Sequence, residues 1–407
     1  MKNVLAVLLA GGVGERLHPL TRNRAKPAVP FGGIYRIIDF TLSNCLNSEC
    51  RKIEVLVQYK SLSLGRHIRS GWNIMHAEQD EFIDVIPPQK RVNDNWYLGT
   101  ADAIYQNLYS IDAATPRQVL ILSGDHIYKM NYMKMVEFHR QAGADMTVAA
   151  IETPISEGSR FGIVETDSFG RIVGFEEKPK NPKPMPGNSD VVLASMGIYV
   201  FNADTLKRAC TDDAERKSSH DFGKDIIPRL IETHRVFAYN FQDENKKAAK
   251  YWRDVGTIDA YWEANMDLVE VTPLFNLYDK EWPMRTRTIT SPPAKFVFAS
   301  EGRRFGVAID SIVSPGVIIS GGMVKRSVVS PEVRVNSYSH VEESILFDGV
   351  NVGRHARLRR VIAEKNVRIP EGAVIGYDLN EDAKHYRVTE SGIVVVEQMD
   401  VVGAGGK

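Results

Sequence analysis

Residues 9–17 read Leu-Ala-Gly-Gly-Val-Gly-Glu-Arg-Leu, three glycines set directly behind an apolar run and followed by a cation. With no Cβ at Gly11, Gly12 or Gly14, backbone N–H groups there can approach phosphate oxygens. Arg16, and after it Arg24 and Lys26, supply cations suited to neutralising a triphosphate and the pyrophosphate that leaves it. Two familiar phosphate loops are excluded. Leu17 stands where a dinucleotide fingerprint has its third glycine, and the chain contains no Gly-Lys-Ser/Thr of a Walker loop. The plain alternative is a turn that only reverses the chain. Asp125 follows an apolar stretch and the small pair Ser123-Gly124, which predicts a carboxylate at a strand end in an open crevice. There it would suit Mg2+, a hard cation that prefers oxygen ligands; a helix N-cap is the structural alternative. Asp254 lies in an aromatic and basic setting, Trp252-Arg253-Asp254, where an ion pair with Arg253 or another base is the alternative.

These groups need a scaffold that brings distant segments to one crevice. Residues 4–10 form a continuous Val/Leu/Ala run, the pattern of a strand buried on both faces in a parallel sheet. Similar short runs at 53–58, 118–122, 146–151 and 194–201 are separated by segments long enough for helices. That alternation predicts an α/β domain, three layers around a mostly parallel sheet, over residues 1–275. Its ligands would bind at the carboxyl ends of the strands, where the loops after residues 10, 58 and 122 emerge.

Pro283, Pro292 and Pro293 interrupt a stretch of little periodicity, read as a linker over 276–300. Beyond it apolar residues recur at intervals close to six: Ile312, Ile318, Val324; Val329, Val335, Val341; Leu346, Val352, Leu358; and Ile362, Ile369, Ile375. Each triplet predicts one triangular coil of a parallel β-helix over 301–390, its members stacked inside. A β-sandwich is the alternative, and residues 391–407 are read as a tail.

Composition narrows the function classes. Lys plus Arg and Asp plus Glu number 51 each, so the chain has no net field favouring nucleic acid or anionic membrane. Cys45, Cys50 and Cys210 are an odd set without metal-type spacing, which predicts neither a disulfide scaffold nor a structural zinc site. The run at 4–10 is too short to span a bilayer, and a cytoplasmic location is expected.

Taken together, Gly11-Gly12-x-Gly-x-Arg-Leu, Leu20-Thr21 and Lys26-Pro27-Ala28-Val29 resemble the signature of the sugar-phosphate nucleotidyltransferases. Further on come Trp96-Tyr97-x-Gly99-Thr100-Ala101-Asp102, Ser123 to Tyr128, Glu177-Lys178-Pro179, Ala194 to Gly197 and Tyr251 to Thr257. In that order, over nearly the whole chain, they resemble the family's ADP-glucose-forming branch, including its C-terminal left-handed β-helix. The resemblance implies ATP and glucose 1-phosphate as substrates, Mg2+ held by Asp125 and Asp254, and Arg16 and Lys26 as catalytic cations. It implies Gln58, Tyr97, Gly99 and Thr100 around the nucleotide, Gly99 permitting close approach of the base. Lys178 is expected on the phosphate of glucose 1-phosphate, with Glu177 and Ser195 on sugar hydroxyls. It further implies a homotetramer and a metabolite effector near Arg24 and Arg36. Relatives there often carry a lysine where this chain has Asn23 or Ile34, so a weak or altered response to fructose 1,6-bisphosphate is expected. Two rivals remain at this stage: another nucleotide or sugar phosphate as substrate, and a noncatalytic regulatory subunit.

Overall fold

The apolar run behind the glycines forms β1, Val4–Ala10, and its unbroken hydrophobicity has a direct cause. Val4, Ala6, Leu8 and Ala10 pack into a core on one side of the sheet. Leu5 and Val7 pack into a second core on the other. In this computed structural model, which describes residues 1, 3–89, 91, 96–185, 187–300 and 304–397, β1 is the centre of a nine-stranded sheet. Its other strands are β2 (Lys52–Val57), β3 (Phe82–Ile86), β4 (Gln118–Ser123), β6 (Met146–Pro154), β7 (Gly162–Thr166), β8 (Ile172–Glu177), β9 (Val191–Asn202) and β10 (Val236–Asn240). The order is β8-β7-β9-β4-β1-β2-β3, with β6 pairing β9 and β10. Strands β1, β2, β3 and β4 run parallel, so their carboxyl ends share one edge. Strand β9 runs antiparallel to both β4 and β6, which makes the sheet mixed. Helices α1 (Ile37–Asn47) and α2 (Ser61–Gly71) lie on the same side as the first core, and α3 (Thr100–Tyr105) on the side of the second.

A separate two-stranded ribbon, β5 (His126–Tyr128) with β11 (Trp252–Asp254), sits at the carboxyl edge. Its antiparallel register sets Asp254 opposite His126. This small pairing brings the last site carboxylate of the chain beside Asp125.

The C-terminal region, from Lys295 to Val396, is a left-handed parallel β-helix whose three sheets each stack one short strand per coil. Ladder pairing corrects the inside positions. Val313 pairs with Val329, which pairs with Leu346, which pairs with Ala363. Val313, Ile319 and Ala363 therefore take the interior places expected for Ile312, Ile318 and Ile362. A one-residue shift along a strand reverses the face, and where two adjacent residues are both apolar, spacing does not decide between them. The outward set has its own use: Val328, Ile345 and Ile362 pack with Leu17, Leu20 and Phe31 of the first domain in one core.

Residues 276–300 are strapped down rather than free. Trp282 is buried and donates to Asn44 Oδ1 at 2.9 Å, and Lys129 Nζ donates to the carbonyl of Asn276 at 2.8 Å. Lys295–Val297 already pairs with Ile318–Ser320 as a β-helix strand, and Val394–Val396 pairs with Val361–Ala363 at the other end.

Arg24 crosses the domain boundary. Its Nη1 and Nη2 donate to Glu364 at 2.7 and 2.9 Å, and both side chains are largely buried. A two-pronged pair in that setting is costly to break from one side, because the remaining charge stays buried. Glu364→Ala is expected to lower stability by about 3 kcal/mol. Arg24→Ala with Glu364→Ala should cost little more than either alone. Urea unfolding of the three variants measures this, and additive losses would remove the pair as a unit.

Candidate active site

The loops that leave β1, β2 and β4 at the shared carboxyl edge carry Gly11 to Gly14, Gln58 and Asp125. They enclose a cavity of about 550 Å3 bordered by Gly11, Gly12, Gln58, Tyr97, Gly99, Thr100, Asp125 and Glu177. A second cavity of about 420 Å3 adjoins it, bordered by Gly14, Arg16, Lys26, Asp125 and Gly256. Asp125 belongs to both and marks the junction. Gly14 adopts φ 69°, left-handed backbone that favours glycine, and its carbonyl accepts from Thr21 Oγ1 at 2.9 Å. The chain then enters a short 3-10 turn, Glu15–Leu17, so the phosphate-type loop is not followed directly by an α-helix. Arg16 is exposed at the mouth of the second cavity.

Lys26 ties the two carboxylates together. Its Nζ lies 2.7 Å from Asp125 Oδ2 and 3.2 Å from Asp254 Oδ1, and the lysine is only 7% exposed. Burial alone would lower the lysine pKa, but the charges of Asp125 and Asp254 outweigh it and raise it. Burial likewise works against ionised Asp125, yet Lys26 and His126, with hydrogen bonds from Lys26 and Ser123, hold it well below the usual carboxylate range. Neither the helix cap at Asp125 nor the Arg253 partner of Asp254 is found, while an ion pair of Asp254 with another base is present in Lys26. Strand β5, not a helix, follows Asp125, and the next helix starts at Tyr132 with Asn131 as its cap. Arg253 turns to Asp267 at 3.2 Å rather than to Asp254.

The donor set fits a hard divalent cation. One ligand atom each from Asp125, His126 and Asp254 lie within 4.8 Å of one another. His126 Nδ1 is buried with no hydrogen-bond partner among the described residues. Two carboxylates against one ammonium leave negative charge to be matched, and oxygen donors suit Mg2+.

At the far end of the larger cavity, the Tyr97 N–H donates to Gln58 Oε1 at 2.8 Å, which joins two segments that sequence reasoning had linked only by resemblance. The phenol of Tyr97 accepts from Asn107 at 3.0 Å. Trp96 is 54% exposed and stacked on Tyr59 at 5.2 Å, so Trp96-Tyr97 is not a buried core pair. Gly99 borders the cavity, and the packing of the chain gives a reason for its glycine besides the expected approach of a base. A Cβ there would lie 2.2 Å from the His220 carbonyl oxygen, because the 219–220 backbone passes against it. Thr100 Oγ1 donates to Asp221 at 3.1 Å and accepts from the Phe222 N–H at 3.0 Å.

Glu177 ends β8 and faces the cavity. Lys178 is exposed, pairs with Glu177 at 3.0 Å and holds φ 50°, a conformation that costs a non-glycine residue of order 1 kcal/mol. Ser195 lies buried on β9 beside an irregularity in its pairing, and its Oγ accepts from the Gly197 N–H at 3.3 Å. Gly197, rather than Ser195, borders the cavity. Sequence reasoning missed Asp221, Gly223 and His126 among the bordering residues. Asp221 caps a π-turn, Phe222–Ile226, accepting from the Gly223 and Lys224 N–H groups. Its only signal in the sequence is a polar residue ahead of Phe-Gly, too common to single it out. Arg24 and Arg36 lie away from both cavities, toward the β-helix: Arg24 on Glu364, Arg36 with Nη1 on Ser63 Oγ at 2.8 Å.

A model of the Nucleotidyl transferase family matches residues 5–271, and one described as GlmU-like, C-terminal hexapeptide, matches residues 292–396. Among curated proteins, a glucose-1-phosphate adenylyltransferase of Koribacter versatilis is 59% identical, covering 97% of this chain and 95% of its own length. Those of Rhodopirellula baltica and Paramagnetospirillum magneticum are 56% and 52% identical, covering 99% of this chain and 92% and 96% of their own lengths. With a cavity built on the glycine loop and a carboxylate pair at its junction, the chain belongs to the Nucleotidyl transferase family and groups with its glucose-1-phosphate adenylyltransferases.

Proposed function

We propose that this protein transfers AMP from ATP to glucose 1-phosphate, giving ADP-glucose and pyrophosphate for glycogen synthesis. The observation that carries the chemistry is the convergence of Asp125, Asp254 and Lys26 where the two cavities meet. An in-line attack by a phosphate oxygen of glucose 1-phosphate on the α-phosphorus of ATP needs no protein nucleophile, since the attacking oxygen is already ionised at neutral pH. Catalysis is then alignment and charge stabilisation. Asp125 and Asp254 would hold Mg2+, which supplies positive charge to the α-phosphate oxygens. Arg16 and Lys26, bordering the smaller cavity with Gly14, would receive the departing pyrophosphate. Gly11, Gly12, Gln58, Tyr97, Gly99 and Thr100 border the larger cavity and would hold the nucleotide, with Glu177 at its border toward the sugar. Lys178, next to Glu177, would take the phosphate of glucose 1-phosphate, and Ser195, two residues before the bordering Gly197, a sugar hydroxyl. A noncatalytic subunit is disfavoured because Arg16, Lys26, Asp125, Lys178 and Asp254 are all present.

Pyrophosphate release measured across four nucleoside triphosphates and three sugar phosphates tests the assignment; preference for any pair other than ATP with glucose 1-phosphate would replace it. In the same assay Lys178→Ala should raise KM for glucose 1-phosphate roughly 10- to 100-fold, the worth of one charge-assisted hydrogen bond, with KM for ATP little changed. The lysine would contact a phosphate that keeps its charge from ground state to transition state.

Asp125→Asn and Asp254→Asn should each lower kcat on the order of 100-fold or more while thermal melting is largely kept. If both carboxylates hold one ion, the double variant costs much less than the product of the single losses. Near-normal turnover in either single variant would end the shared-metal assignment.

We further propose a cytoplasmic homotetramer with an effector site between the domains. The β-helix exposes Phe296, Phe298, Phe305 and Val374, apolar surface that self-association would cover. Arg36 is pushed down to about 10 by burial and by the charges of Arg287 and Arg24, working against Asp39 and Asp348, so an anion there would relieve crowded cations. Arg24 is already matched by Glu364, which leaves Arg36 as the cation nearer to free. Light scattering should give a tetramer at micromolar concentration, and fructose 1,6-bisphosphate should activate weakly. A monomer, or strong activation untouched by Arg36→Ala, would defeat the respective halves.

A further inference from the structure

Asp39 is fully buried on the first turn of α1, and four donors from separate parts of the chain converge on its carboxylate. Oδ1 accepts from His67 Nε2 at 2.6 Å and from Trp72 Nε1 at 2.8 Å. Oδ2 accepts from the Arg36 N–H at 2.8 Å and from Thr286 Oγ1 at 2.6 Å. No bond of this hub touches either cavity of the active site. Yet His67 and Trp72 are the inner face and the C-terminal cap of α2, and the other end of α2 begins three residues after Gln58. Lys60, immediately ahead of α2, donates from Nζ to the Thr21 carbonyl at 2.9 Å, and Thr21 Oγ1 donates to the carbonyl of Gly14. Tyr59 carries the stacked Trp96, and Gln58 holds the Tyr97 N–H.

We infer that Asp39, His67 and Thr286 are positioning residues for the nucleotide: the hub fixes the tilt of α2, and α2 sets Gln58, Tyr59 and, through Lys60, the glycine loop. Helices are stiff, so a shift where α2 ends reappears where it begins. A carboxylate accepting four hydrogen bonds is well suited to that task, because its bonds are directional and water does not compete inside the core. Thr286 contributes a further consequence. It lies on the strap that runs from the nucleotidyltransferase domain to the β-helix, so the join between the domains bears on the nucleotide site through one hydroxyl. The inference rests on the proposal that Gln58 and Tyr97 border the nucleotide.

Thr286→Val removes that hydroxyl with little change in volume and leaves the other three donors in place. We expect KM for ATP to rise roughly three- to tenfold, the worth of one hydrogen bond to a charged group partly transmitted, while KM for glucose 1-phosphate and kcat stay within about twofold. Thr286→Ser, which keeps the hydroxyl, should restore the wild-type KM. His67→Gln, retaining a donor toward Asp39, should fall between. A melting temperature close to wild type in Thr286→Val would accompany this. Equal shifts in both KM values, no shift in either, or no rescue by serine would overturn the inference. A wild-type enzyme inactive with ATP and glucose 1-phosphate would instead overturn the functional assignment on which it rests.

Discussion

One ammonium between two carboxylates organises this protein. Lys26 meets Asp125 and Asp254 across 99 and 228 residues of chain, so the contact exists only if the whole first domain is folded. Burying three charges is unfavourable unless they are mutually matched, and here the match is incomplete: two negative charges face one positive. In the proposed function that surplus would attract a cation, and the glycine loop beside it would offer backbone N–H groups to an anion, so metal and phosphate would be favoured together at one junction. The central sheet exists, in this sense, to deliver Asp125 at the end of β4 and Lys26 beyond the end of β1. The β5/β11 ribbon delivers Asp254 by register.

The second domain acts on the first through contacts of a different kind. An apolar seam formed by the outward side of one β-helix sheet joins Leu17, Leu20 and Phe31, so the β-helix forms part of the core beneath the glycine loop. Arg24 to Glu364 adds a polar anchor. This changes the meaning of Arg24: a cation that family resemblance assigned to an effector is saturated by an internal carboxylate, and an effector would have to compete with a two-pronged pair to use it. Arg36 is differently placed. Its backbone N–H serves Asp39 while its guanidinium reaches Ser63, so any anion that draws on Arg36 pulls near the hub that holds α2.

Much of this was legible in the sequence, for reasons that differ by residue. Strand β1 was readable to the residue because burial on both faces removes every polar interruption. The glycine loop was readable because φ 69° at Gly14 asks for glycine. The β-helix repeat was readable, but its inward face was not at Ile312, Ile318 and Ile362, where a neighbouring Val, Ile or Ala is equally acceptable inside. Gly99 was identified through the nucleotide, while a further cause was not legible: the carbonyls of residues 219–220, far along the chain, forbid a side chain there. Asp221 and the ribbon register were invisible, since both arise from pairing between segments that share no local pattern. What local propensity and periodicity encode was found, and what tertiary contact alone decides was not.

That division also says something about the chemistry. A reaction without a protein nucleophile depends on holding two anions in line, and alignment tolerates little slack. The structure answers with fixed oxygen acceptors rather than with reactive side chains. Gly14 is held by Thr21, Thr21 by Lys60, and α2 by Asp39, while Thr100 is locked to Asp221 and Phe222. Each tie connects a cavity loop to a regular element or to another loop, so the loops behave as extensions of the sheet edge. Lys178 is the exception, exposed and held in a left-handed conformation by the turn after β8. In the proposed function Lys178 would meet a substrate arriving from solvent and would gain from being outside that lattice of ties, its backbone strain the cost of presenting its ammonium there.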